Sequence, residues 1–197
     1  MTVTCVLISE GSSDLFIQRI VEELLHPDIA FEFNPGRGVK LSFPPKSGLC
    51  EKVQNAIKLY SPRLILVHRD ADTAGVEQRI KEIRDACSDC VPVIPVRESE
   101  AWLLADREAI CELTRLAELP AKAGYPRDVE SCDAKKRLRQ VLLECRLAKN
   151  WKRRDFDFED DRAQLGRTVS NLDRLRKLKS FNDFEEALQN AIDALRP

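Results

Sequence analysis

Across about the first hundred residues, short apolar runs rich in β-branched residues alternate with segments of helical periodicity, and this alternation limits the fold more than any other feature. VTCVLIS (3–9) has strand character, and Ser12 or Ser13 is placed to cap a helix carrying Leu15, Phe16, Ile20, Val21 and Leu24 before His26-Pro27 stops it. IAFEF (29–33) reads as a second strand ending at the Asn34-Pro35-Gly36 breaker, and residues 36–48 read as a long loop. A helix over 49–60 would show Val53, Ile57 and Tyr60 on one face. RLILVHRDAD (63–72) is the clearest strand, and a helix over 74–87 carries Val76, Ile80 and Ile83. VPVIPV (91–96) is the fourth strand, where Pro92 and Pro95 suit a sheet edge.

Such alternation predicts βαβ units and an α/β fold, a mainly parallel, Rossmann-like sheet of four strands flanked by helices. The near-continuous apolar runs of the first and third strands fit strands covered on both faces. Beyond Glu100 the pattern becomes helical. Residues 101–119 and 133–151 each read as a helix, with a loop over 120–131 between them. The segment 162–195 reads as a helical pair with a turn near Ser180-Phe181-Asn182. The expected organisation is an α/β core over 1–106 and an α-helical extension over 107–197 packed on it.

A chain of 197 residues buries roughly 70% of its unfolded surface and needs no disulfide or metal merely to fold. With 32 Lys+Arg against 33 Asp+Glu, it carries no overall basic signal for nucleic acid. Aromatics at 6% argue against base stacking as the main binding device. No apolar run approaches a membrane span, and the N-terminus lacks a basic signal-peptide region, so a cytoplasmic protein is expected. Reduced thiols are then the default for the seven cysteines. Cys87 and Cys90 form a CxxC without a second pair at zinc spacing, which favours a structural role over zinc or redox chemistry.

Ligands of open α/β sheets bind beyond the carboxyl ends of the strands. Here those ends carry acids. Glu10, Gly11 and Asp14 follow the first strand, Asp70 and Asp72 the third, and Glu98 and Glu100 the fourth. If the backbone stays extended, Asp70 and Asp72 leave one face. Singly, each acid has an ordinary explanation as a cap, a helix-dipole partner or a strand-end residue. Together, carboxylates about 4 Å apart repel by roughly 1–4 kcal/mol per pair, so either some protonate or a cation sits among them. Oxygen donors without nearby His or Cys ligands select Mg²⁺ or Mn²⁺ over zinc.

EGSSD (10–14), HRDAD (68–72) and RESEAWLLAD (97–106), in this order, resemble the Toprim fold shared by topoisomerases, bacterial primases and the overcoming-lysogenization-defect (OLD) nucleases. The third motif is similar to the Glu-Ala-Trp-Leu motif of small Toprim-like bacterial proteins, which often sit beside ATPase genes. The resemblance covers residues 1–106 well and the remainder loosely. It implies Mg²⁺ ligation by Glu10, Asp14, Asp70 and Asp72. It also implies that Glu100, or less so Glu98, holds a second metal or acts as general base, with Glu98 otherwise a solvated neighbour. Trp102, Leu103 and Leu104 read as core residues beneath such a site. Topoisomerases need a nucleophilic Tyr, and Tyr60 and Tyr125 lie in no recognisable context for one. The basic residue that nucleases set against the scissile phosphate is not identified, although Arg69 and Arg97 adjoin the acids.

Charge is uneven along the helical part. Residues 134–154 hold nine Lys/Arg, among them Lys135, Lys136, Arg137, Arg139, Lys152, Arg153 and Arg154, against the single acid Glu144; five acids then follow within 155–161. Such a cluster either binds phosphates or forms a solvated face paired with the acidic run. The resulting expectation is a Mg²⁺-dependent nuclease acting on DNA or RNA, with a separate ATPase partner of an anti-phage system implied by the resemblance. The rivals are a non-catalytic partner-binding or regulatory subunit and, more weakly, a small-molecule phosphotransferase or phosphatase.

Overall fold

The structure, a computed structural model, describes residues 2–9, 15–24, 30–33, 48–169 and 171–195. In chain order the elements are β1 (Thr2–Ile8), α1 (Leu15–Leu24), β2 (Ala30–Phe33), α2 (Leu49–Tyr60), β3 (Leu64–His68), α3 (Val76–Ala86) and β4 (Val91–Val93). The helices α4 (Glu100–Ala105), α5 (Arg107–Thr114), α6 (Ala134–Ala148), α7 (Phe158–Thr168), α8 (Leu172–Leu175) and α9 (Lys179–Ala194) follow. The strands pair in parallel in the order β2-β1-β3-β4, with Ile8 opposite Val67 and His68 opposite Val93. β4 is an edge strand, the position where Pro92 is tolerated.

Two cores form because side chains alternate across the sheet. Cys5, Leu64 and Leu66 face one way and pack with α1 and the helices beyond Glu100. Val6, Ile8, Ile65 and Val67 face the other way, onto Val53 and Ala56 of α2 and Ile83 of α3. A parallel sheet flanked by helices results. The larger core joins residues of both halves of the chain. At its centre the Trp102 ring lies 5.2 Å from Phe181 and 5.7 Å from Phe184, and its Nε1–H donates to Ser180 Oγ at 2.9 Å. The expectation that Trp102, Leu103 and Leu104 are core residues holds, since all are fully buried. α7 reaches α1 through Gly166, where a Cβ would stand 2.9 Å from Phe16 Cβ.

Several expected boundaries move. The strand expected over 63–72 ends at His68, and that over 91–96 ends at Val93. The single helix expected over 101–119 breaks at Asp106, whose carboxylate accepts from Ala109 N at 3.1 Å and so starts α5. The turn expected at 180–182 is instead the first turn of α9, because Glu130 supplies a remote cap: its carboxylate oxygens accept from Lys179 N and Ser180 N, both at 3.0 Å. Cys87 and Cys90 form a disulfide between the end of α3 and the start of β4, which corrects the reading of all seven cysteines as reduced thiols. Among the described residues, no helix is long and apolar enough to cross a membrane.

Candidate functional site

The chain leaves β3 and β4 side by side. Arg69 N donates to Val93 O at 3.1 Å, Ala71 N to Pro95 O at 3.1 Å and Asp72 N to Arg97 O at 2.9 Å. Ala71 is buried, so the aspartates flanking it stand at the rim. The expected extended backbone does not persist there, because Asp72 takes φ 45° and Arg97 φ 64°. Among the described residues, three other non-glycine residues have positive φ: Ser61, Arg115 and Asn150. All three lie just past helix ends, where left-handed residues ordinarily close a helix. Asp72 and Arg97 follow no helix end; aspartate adopts this region readily in a turn, whereas for Arg97 it is strained backbone of the kind that concentrates at functional loops.

Asp70 and Asp72 are brought together through Arg79 of α3. Its Nε donates to Asp70 O at 3.0 Å, and its Nη2 stands 3.6 Å from Asp72 Oδ2. Arg79 Nη1 also donates to Glu82 at 2.9 Å, and Arg69 Nη1 lies 3.6 Å from the same carboxylate. The Arg79 hydrogen bond is the main cause holding the Glu82 carboxyl below its ordinary value. Asp70 Oδ1 is buried, 3.3 Å from His68 Nε2, and makes no hydrogen bond among the described residues. His68, Arg79 and Glu82 were missed from the sequence. The usable signal was Arg79 itself, a cation early in a helix, where the dipole disfavours positive charge without a specific partner.

Glu98 and Glu100 form a second group that turns toward the helical half. Glu100 is 2% exposed and ion-pairs with Arg162 of α7, while Lys135 Nζ of α6 stands 3.9 Å away. Glu98 accepts from Lys135 N at 3.0 Å in the first turn of α6, beside the Asp133 cap. Burial, more than the neighbouring Glu100 and Asp133, pushes the Glu98 carboxyl above its ordinary value despite the opposing Lys135 N–H. Glu98 is thus half-buried against the first turn of α6. Glu10, Gly11 and Asp14 lie outside the described residues, as do the capping serines Ser12 and Ser13. Among the described residues, no three His, Cys, Asp or Glu side chains are grouped to hold a metal.

Tyr125 is tied to the backbone: its OH donates to Leu104 O at 2.6 Å, and burial pushes it up to about 12. Of the basic candidates, Lys135 stands by Glu100 and Lys136 is exposed on α6, where Arg137 binds Gln140. Arg139 and Arg154 line one depression of about 330 Å³, and Lys152, Arg153 and Arg154 are exposed in the α6–α7 connection.

A family model, "Domain of unknown function (DUF4276)", matches residues 10–189. The chain belongs to the DUF4276 family. No curated protein and no solved structure matches it. The DUF4276 match spans both acidic groups, the Asp70–Asp72 loop and the Glu98–Glu100 segment, together with the basic helix α6. The match thus takes in the helical half together with β2, β3 and β4.

Proposed function

We propose that this DUF4276 protein is a Toprim-type, Mg²⁺-dependent phosphodiesterase acting on DNA or RNA, working with a separate ATPase. The observation that carries the reading is the rim itself. Ile8 opposite Val67 and His68 opposite Val93 set the ends of β1, β3 and β4 within neighbouring-strand distances of about 5 Å, and Glu10 is the second residue after β1. Asp70 and Asp72 offer hard oxygen donors there, and Oδ1 of Asp70, buried beside His68 Nε2 with no hydrogen bond among the described residues, fits a cation. With Glu10 and Asp14 they would hold the ion. When bound, a divalent cation supplies Lewis-acid stabilisation of phosphate oxygens and an acidified water. Arg79 fixes the aspartate loop through its bond to Asp70 O. Arg97, exposed at the same rim, is available to a phosphate.

Labelled DNA and RNA incubated with Mg²⁺ or Mn²⁺ test the reading. Cleavage should occur with the wild type and vanish in Asp70→Asn, in Glu10→Gln and with EDTA. Cleavage that survives both substitutions overturns it.

The Arg162–Glu100 pair favours a second reading, a non-catalytic regulatory subunit whose acids have been recruited into the fold. Mg²⁺ binding without turnover, together with stable co-purification of another chain, would select it.

A further inference from the structure

α6 closes with two bonds of a Schellman motif. Asn150, at φ 64°, donates its N–H to Leu147 O at 2.9 Å, and Trp151 N donates to Arg146 O at 3.1 Å. The Trp151 ring packs against the Arg146 guanidinium, 4.5 Å from its centroid, and that guanidinium is fixed by two hydrogen bonds to Asp161, with Nε at 3.0 Å from Oδ2. Trp151 is nevertheless 44% exposed. A large apolar ring is thus held rigid at the surface by a backbone motif and a locked cation.

Charge surrounds it. Lys149, Lys152 and Arg153 are exposed and make no ion pair among the described residues, while Arg154 stands 3.6 Å from Asp155. Among the described residues, no other carboxylate of the acidic run that follows ion-pairs with a cation of this patch. Asp157 caps α7 by accepting from Glu159 N and Asp160 N, Asp161 holds Arg146, and Glu159 stands 3.5 Å from Arg162. The cations further along the chain differ, because Arg174, Arg176 and Lys179 pair with Glu108, Glu185 and Asp183.

We propose that Trp151, with Lys149, Lys152 and Arg153, binds single-stranded nucleic acid, the ring stacking on an unpaired base while the cations meet the flanking phosphates. This deepens, and rests on, the phosphodiester reading above by naming the form of its substrate. A duplex keeps its base faces stacked and offers the ring nothing, whereas single strands present them. Low aromatic content excludes an extended stacking platform; one preorganised ring beside a basic patch adds a base contact at little entropic cost.

The chain has two tryptophans, and Trp102 is fully buried, so a ligand-dependent change in emission reports Trp151. Oligothymidylate, oligouridylate and blunt duplex DNA of equal length are titrated in EDTA, where cleavage cannot contribute. Emission is followed for the wild type, and labelled-oligonucleotide anisotropy for all variants. The expected result is saturable quenching by one or both single strands and none by the duplex. Trp151→Ala should bind about 5- to 150-fold more weakly, the equivalent of about 1–3 kcal/mol per stacked base, and Trp151→Phe should recover part of the loss. Lys152→Glu/Arg153→Glu should flatten the salt dependence, which Trp151→Ala leaves intact. Equal affinity of Trp151→Ala and wild type, or equal quenching by duplex, overturns the proposal. Quenching that persists in a protein unable to cleave with Mg²⁺ sinks the nuclease reading and leaves this one standing.

Discussion

Asp72 donates its backbone N–H to Arg97 O at 2.9 Å, and both residues hold left-handed backbone although neither is glycine. This bond ties the end of the β3 extension to the end of the β4 extension. Left-handed backbone costs about 1–2 kcal/mol in a residue with a Cβ, and glycine returns about 0.5–1 kcal/mol of that as unfolded-state entropy. Arg97→Gly is therefore expected to stabilise the fold by about 0.5–1 kcal/mol in urea unfolding while lowering any cleavage activity. A loss of stability would show that the Arg97 side chain makes contacts worth more than the strain.

Glu100 and Arg162 form a buried ion pair, and removing one member leaves the other charge unpaired in the interior. Glu100→Gln and Arg162→Met should each cost about 3–5 kcal/mol, and Glu100→Leu/Arg162→Leu should recover most of that loss. A double-mutant cycle by urea denaturation measures the coupling. Single substitutions that leave the unfolding midpoint in place would free Glu100 for a catalytic role.

Burial raises the Glu98 carboxyl above its ordinary value of 4.5, so the native state binds the proton more readily than the unfolded chain. Its contribution to stability is present below the unfolded value and is lost as pH rises through the raised folded value. Glu98→Gln keeps an oxygen acceptor for Lys135 N and removes that slope. Melting temperatures across the mildly acidic range should show wild type losing stability relative to the variant as pH rises. Parallel curves would refute the assignment.

Gly166 lets α7 approach α1 at Phe16. Alanine is the better helix former by about 1 kcal/mol, but its Cβ would meet Phe16 at 2.9 Å, and overpacking of this kind costs about 1–3 kcal/mol. Gly166→Ala should be destabilising by about 1 kcal/mol in chemical denaturation. A net gain in stability would mean that the helices can move apart freely.

Periodicity in the chain already located β1, α2, β3, α3 and β4 to within a few residues, because apolar spacing is a local property that packing on both sheet faces enforces. The Asp133 start of α6 was legible for the same reason, its cap being contiguous with the helix it serves. The break at Asp106 and the start of α9 were not. In the first, one aspartate ends α4 and caps α5; in the second, Glu130 caps a helix some fifty residues further on.

Sequence alone thus determined the order of the elements and the order of the acids along them, since strand alternation and strand ends are written in neighbouring residues. Only tertiary structure decided which acids share a rim. Arg79 gathers Asp70 and Asp72, while Arg162, sixty-two positions from Glu100, draws that glutamate into the interior. A carboxylate's role follows from the cation that meets it, and that meeting depends on packing between distant helices, which no local spacing encodes.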